Sequence, residues 1–328
     1  MPLEPLIKRR YAAFRAQGIP RGEPTPEGRR ADAARAAAEA WEELGLPVPD
    51  VEIERAEVAV PGDFPDVGVR IHRPPGAAGP LPAVVTFFGG AFRMGSNDFG
   101  VNRWNHARRA LDAEVAVVAV DYALAPEHKF PTQIEQGLAV LDWVFERAGD
   151  LGIDPERVAV SGQSSGANIA AACAQWNLDR AAHPLRLQLL EVPTLDLTGR
   201  HIDLKPLRQL RIPKFFFTRD LKAIRRDYLP PGQDAADPRV SPLLRADLRG
   251  LPPTVILASE YDPLHGDALA YWGRLREAQV PASATVAAGQ THEAAGFVGA
   301  LLSAQMAHAQ AVAALRSLHD PASPGAAE

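Results

Sequence analysis

A chain of 328 residues, 46% hydrophobic and 23% charged, has ordinary globular composition and is long enough for one large α/β domain or two small ones. A formal charge of −5 with dispersed arginines argues against a nucleic-acid binder, and the single cysteine, Cys173, excludes an intrachain disulfide. Residues 1–15 lack the apolar core of a secretory signal and no apolar run reaches membrane-span length, so a cytoplasmic protein is expected.

Residues 1–50 read as a polar, helical N-terminal region. Ala31 to Leu44 is rich in Ala, Glu and Arg, and Gly45 with Pro47 should end that helix; Gly18 to Gly28 reads as a connector. Val51 to Val60 and Val67 to His72 alternate apolar and polar about Pro61-Gly62-Asp63, which predicts an antiparallel hairpin. From Pro82 the pattern changes. Pro82 to Phe88, Val115 to Val120, Arg157 to Ser161, Leu187 to Val192 and Pro253 to Ser259 are nearly continuous apolar runs, as strands buried on both faces are. Helical stretches alternate with them: Asn102 to Leu111, Gln133 to Ala148, Asn168 to Ala182 and His265 to Ala278. This rhythm predicts an α/β domain over residues 51–320, with a mostly parallel sheet and helices on both faces. The Arg/Lys-rich segment 196–240 interrupts it and reads as a cap insertion, roofing the sheet together with the N-terminal helices. Phe215-Phe216-Phe217 within it could line an apolar pocket or form the core of the cap. Residues 321–328 read as a flexible tail.

The most informative stretch is Val158 to Asn168. An apolar run ends in Gly162-Gln163-Ser164-Ser165-Gly166, and an Ala-rich helix follows. A strand turning directly into a helix strains the apex residue and brings backbones close, so glycines two residues to either side are what such a turn needs. Ser164 would then stand exposed at the end of the sheet, beside a helix N-terminus. The pentapeptide alone could be a plain tight turn; the flanking strand and helix favour a nucleophile. Cys173 falls on the following helix as a packing residue.

A serine nucleophile needs a base, a group to orient the base, and donors for the developing oxyanion. After Pro253 to Ser259 come Glu260, Asp262 and, on the next helix, Asp267; Asp262 is favoured as the acid, with Glu260 its competitor and an Asp-Pro turn or helix cap its plainer reading. After the short strand Ala282 to Ala287, His292 is the histidine placed to act as base. His265 is the alternative, while His308 and His319 read as solvated histidines of the C-terminal helix. Ser165 can offer the N–H after the nucleophile, and Gly89-Gly90-Ala91 follows an early strand as a loop that a substrate can approach closely.

Asp121-Tyr122-Ala123-Leu124-Ala125-Pro126-Glu127-His128-Lys129-Phe130-Pro131 closely resembles the D-Y-R-L-A-P-E-H-x-F-P stretch of the hormone-sensitive-lipase-like α/β-hydrolases, the family IV esterases. Ser241-Pro242-Leu243, Leu251-Pro252-Pro253 and Glu260-Tyr261-Asp262-Pro263-Leu264 match in order, and the likeness runs from about Pro82 to Phe297. It implies an α/β-hydrolase fold with a helical cap, hydrolysis of a small to medium carboxylic ester, and Ser164, Asp262 and His292 as triad. It also implies oxyanion donors from Gly90, Ala91 and Ser165, with Gly89 supporting the loop, and no metal or organic cofactor. Relatives that dimerise through sheet edges or C-terminal helices suggest a homodimer, by analogy.

Three departures cluster at this site. The family's His-Gly-Gly-Gly reads Phe88-Gly89-Gly90-Ala91, its Gly-Asp-Ser reads Gly162-Gln163-Ser164, and its His-Gly-Phe reads His292-Glu293-Ala294. Phe88, Gln163 and Glu293 therefore stand as site modulators. They motivate the competing reading of a lyase, dehydratase or acyltransferase on the same fold. A small-molecule receptor is the weaker alternative, since receptors of this branch lose triad members and His292 remains.

Overall fold

The computed structural model describes residues 3–9, 12 and 25–320. The tail at 321–328 and most of the connector at 18–28 lie outside the described residues.

Helix α1 (Pro26–Leu44) begins five residues earlier than its alanine-rich stretch suggests. Thr25 caps it, its side chain accepting the Gly28 N–H at 3.1 Å, and Pro26 occupies the first helical position, where its missing N–H costs nothing. Gly45 ends it in the left-handed conformation, φ 62°. The hairpin β1 (Glu52–Val58) and β2 (Val67–Arg73) follows, antiparallel as expected.

The remaining elements alternate: β3 (Leu81–Phe87), α2 (Gly100–Ala113), β4 (Ala116–Asp121), α3 (Thr132–Glu146), β5 (Ile153–Gln163), α4 (Ser165–Arg180) and β6 (Leu185–Glu191). Two helices, α5 (Lys205–Gln209) and α6 (Lys214–Tyr228), make up the regular part of the 196–240 segment. Then come β7 (Thr254–Ser259), α7 (His265–Glu277), β8 (Ala282–Ala287) and α8 (Leu302–Arg316). The strands form one sheet in the order β1-β2-β4-β3-β5-β6-β7-β8, antiparallel only where β2 meets β1 and β4.

Alternate residues of each central strand supply two separate cores. Val85, Val118 and Val160 pack on one side with Ile134, Leu141, Ile169 and Cys173. Val84, Val117 and Ala159 pack on the other with Ala110, Ala113, Ala311 and Leu315. Both faces are covered, which is why the strands read as unbroken apolar runs. Cys173 is fully buried, and its sulfur lies 2.5 Å from where a Cβ on Gly137 would sit, so it sets the close contact of α3 with α4. His308 departs from expectation. It is largely buried, tilted against Trp104 with ring centroids 4.9 Å apart and 3.5 Å from Asp112, because α8 lies flat on α2 rather than in solvent.

The two sheet edges differ. β1 is exposed and carries Glu52, Glu54, Arg55 and Glu57, charges that discourage pairing with another strand. β8, Ala-Ser-Ala-Thr-Val-Ala, carries none, and Val286 is exposed.

Candidate active site

β5 runs through Gln163 and α4 starts at Ser165, which leaves Ser164 alone at the turn with φ 55° and ψ −117°. A non-glycine residue holds such angles only when its surroundings impose them. A Cβ on Gly162 would lie 2.2 Å from the Gly166 carbonyl oxygen, and one on Gly166 would lie 2.2 Å from that of Phe87. Both glycines are therefore required by close backbone approach. The Ser164 N–H donates to the Glu191 carbonyl at 2.9 Å, tying the turn to the end of β6.

The loops after β7 and β8 bring the other two side chains to Ser164. His292 Nε2 lies 2.9 Å from Ser164 Oγ, and His292 Nδ1 lies 2.7 Å from Asp262 Oδ2. The competitors are engaged elsewhere. Glu260 accepts the Gly289 N–H at 2.7 Å, Asp267 accepts the N–H groups of Leu195 and Asp196, and His265 pairs with Asp203 at 3.0 Å. The plainer reading of Asp262 also holds, since its other oxygen accepts the Leu264 N–H at 2.9 Å. Asp262 is 2% exposed at its side chain and His292 30%, so the imidazole is reachable and its partner is not. Burial alone would lower the His292 pKa. The charge and hydrogen bond of Asp262, with the charge of exposed Glu293, outweigh burial and raise it to about 9.

The loop after β3 packs directly on the turn. A Cβ on Gly89 would sit 3.0 Å from the Gln163 carbonyl oxygen and 3.3 Å from Ser164 Cβ, and one on Gly90 would strike the Met94 carbonyl. Gly90 has φ 148°, while Ala91 (54°) and Phe92 (63°) hold left-handed angles despite their side chains. Among the described residues the Gly90 and Ala91 N–H groups donate to no protein acceptor. Ser165, the first residue of α4, has no partner for its N–H within the helix. The three free donors lie at the carboxyl ends of the central strands β3 and β5, next to Ser164.

Phe88 stands where the family has histidine. It stacks on Tyr122 with ring centroids 4.2 Å apart, and the Tyr122 hydroxyl donates to the Phe88 carbonyl at 2.8 Å. A polar ring is replaced by an aromatic packing contact under the loop. Gln163 faces a small cleft with Arg109 and Glu191, whose charges meet each other at 2.6 Å. Phe215 is 54% exposed and tilted against Phe216, so it faces solvent rather than lining a pocket.

Sequence reading missed the network above the loop. Arg93 is buried and contacts Asp220 (2.9 Å) and Asp227 (3.3 Å) of α6; Arg29 of α1 also reaches Asp227, at 3.3 Å. Arg30 donates to the carbonyls of Arg93 and Ala125. Phe92 stacks on Tyr228, centroids 3.8 Å apart. The available signal was one charge in a loop otherwise small and apolar.

A Ser-His-Asp chain of hydrogen bonds at the carboxyl ends of a mostly parallel eight-stranded sheet, in the chain order Ser, Asp, His, is the arrangement of the α/β-hydrolase class. A family model described as alpha/beta hydrolase fold matches residues 84–296. Carboxylesterase NlhH of Mycobacterium tuberculosis is 35% identical over 286 residues, 83% of this chain and 85% of that protein. Ethyl acetate hydrolase of Pseudomonas putida is 34% identical over 229 residues, 69% of this chain and 70% of that one. Among solved structures, the hyperthermophilic esterase of the archaeon Pyrobaculum calidifontis superposes with a TM-score of 0.85 at 29% identity, covering 97% of this chain and 99% of that chain. The protein belongs to the α/β-hydrolase fold family, in its hormone-sensitive-lipase-like branch.

Proposed function

We propose that the protein is a serine carboxylesterase acting on small to medium acyl esters, with Ser164 as nucleophile, His292 as general base and acid, and Asp262 as the group that orients it. The observation that carries this reading is the unbroken Ser164–His292–Asp262 hydrogen-bond chain beside three unpaired N–H donors. Relatives named as esterases support it.

Ser164 Oγ attacks the ester carbonyl carbon as its proton passes to His292 Nε2. The carbonyl oxygen takes the negative charge and is held by the N–H groups of Gly90, Ala91 and Ser165, each worth about 3 kcal/mol in such a site. Collapse breaks the bond to the alcohol, which leaves with the proton from His292. Water, deprotonated by His292, then attacks the acyl-enzyme; the acid departs and Ser164 regains its proton. Asp262 holds Nδ1–H and stabilises the imidazolium.

Segment 196–240 and the N-terminal helices form the proposed cap, supported by the contacts of α1 and α6 with the Arg93 loop. A homodimer through β8 is the proposed assembly, supported by that edge's lack of charge. The proposed compartment is the cytoplasm; the lone, buried thiol fits a reducing environment. Fluorophosphonate labelling tests the mechanism. Labelling of Ser164 that vanishes in His292→Ala, with p-nitrophenyl ester turnover lost in Ser164→Ala, is the expected result; an unlabelled, folded protein rejects it.

A further inference from the structure

Residues 205–226 hold eight lysines and arginines against one acid, Asp220, in a chain whose formal charge is −5. The rest of the molecule is correspondingly more acidic, so the positive charge is concentrated on α5 and α6.

Its placement is not random. Phe217, Leu221, Ile224 and Tyr228 lie at helical spacing on the inner side of α6, where Ile224 packs on the main core and Tyr228 stacks on Phe92. Phe215, Arg219, Lys222 and Arg226 lie at the same spacing on the opposite side and are all exposed. Arg208, Arg211 and Lys214 are exposed on the segment leading into this stripe. Among the described residues, Arg208, Arg211, Lys214 and Lys222 meet no carboxylate. Both acids of the helix are engaged, Asp220 by Arg93 and Asp227 by Arg93, Arg29 and Arg226.

A solvated helix face ordinarily mixes both signs. This one is cationic throughout, and at its end a half-exposed phenylalanine lies tilted against a second ring, 3.9 Å between centroids. A cationic face with an apolar edge is the composition that settles at a charged lipid boundary. Nucleic acid would call for a basic groove with successive stacking rings; the aromatic residues here form one patch at one end.

We propose that the outer face of α5 and α6 docks the protein on an anionic lipid surface. Phe215 and Phe216 enter the interface, and Arg208, Arg211, Lys214 and Lys222 meet the head groups. The test reads vesicle binding and does not depend on ester hydrolysis.

Full-length protein is sedimented with vesicles of phosphatidylcholine alone or with about one-third phosphatidylglycerol, at low and high salt. The expected result is pelleting with the anionic vesicles only, lost at high salt. Arg211→Glu/Lys214→Glu/Lys222→Glu should lower the partition coefficient at least about tenfold with an unchanged melting temperature, and Phe215→Ser should lower it several-fold. The proposal is overturned if the protein stays in the supernatant, binds neutral vesicles equally, or if the triple variant binds as the parent does. Retention on heparin or single-stranded DNA without vesicle binding also overturns it and assigns the face to a soluble polyanion.

Discussion

Asp262 divides its two oxygens between architecture and chemistry, one closing the turn at Leu264 and the other facing His292 Nδ1. Asp262→Asn keeps the volume and the turn contact but favours the wrong imidazole tautomer. The expected outcome is a fall in kcat of about 10⁴-fold with little change in melting temperature. Glu293 acts through charge alone. It favours the imidazolium, and in the proposed mechanism the base must be neutral to accept the serine proton, so activity should fall as pH drops below the His292 pKa. Glu293→Gly lowers that pKa and moves the acidic limb of kcat/KM to lower pH, by about half a unit because an exposed charge is screened. The same histidine links pH to stability. Its folded pKa of about 9 exceeds the ordinary 6.5, so its stabilising contribution is complete below pH 6.5 and is lost as pH rises through 9. Calorimetry across that range should give a melting temperature that falls less steeply with pH in His292→Gln than in the parent.

At the scale of elements, the strands and the order of the site residues were legible because both follow from local rules. Apolar runs mark strands covered on both faces, and the side chains at their carboxyl ends are the ones a parallel sheet gathers together. β8 matches its expected bounds, Ala282–Ala287, and Ser164, Asp262 and His292 all lie just past strand ends. The start of α1 was missed because Thr25-Pro26 reads equally well as a turn until its cap bond is seen. Arg93 was opaque for another reason: Asp220 and Asp227 stand 127 and 134 residues away along the chain, and no local pattern announces such a pair. Without Arg93, Asp227 keeps Arg29 and Arg226 and Asp220 is open to water, so Arg93→Met should destabilise the fold by only about 1–2 kcal/mol in denaturant titrations. Because Arg93 belongs to the loop carrying the proposed oxyanion donors, the variant should also lower kcat more than it raises KM, while Ser164 still reacts with fluorophosphonate.

For the molecule as a whole, the contrast between its two sheet edges bears on assembly. If β8 pairs with its counterpart in a second copy, a charge placed on it should separate the two. Val286→Lys is expected to convert a dimer to a monomer in sedimentation velocity; a parent protein that is already monomeric rejects the assembly. The sequence could not orient the proposed cap, because the placement of α6 depends on Tyr228 stacking on Phe92 and on ion pairs made across the fold.

The interlocking of Gly89, Gly162 and Gly166 has a bearing on how this enzyme can be diversified. A Cβ on Gly162 or Gly166 would lie 2.2 Å from a backbone oxygen, which leaves no room for a further carbon atom, and one on Gly89 would meet the Gln163 carbonyl at a tight 3.0 Å. Change at these glycines is closed to single steps, whereas Phe88, Ala91 and Gln163 beside them already depart from the family pattern. Variation is freer in α5 and α6, most of whose charged side chains face open space. The packed glycines and the exposed helices thus divide the chain into positions that evolution must keep and positions it can rewrite one residue at a time.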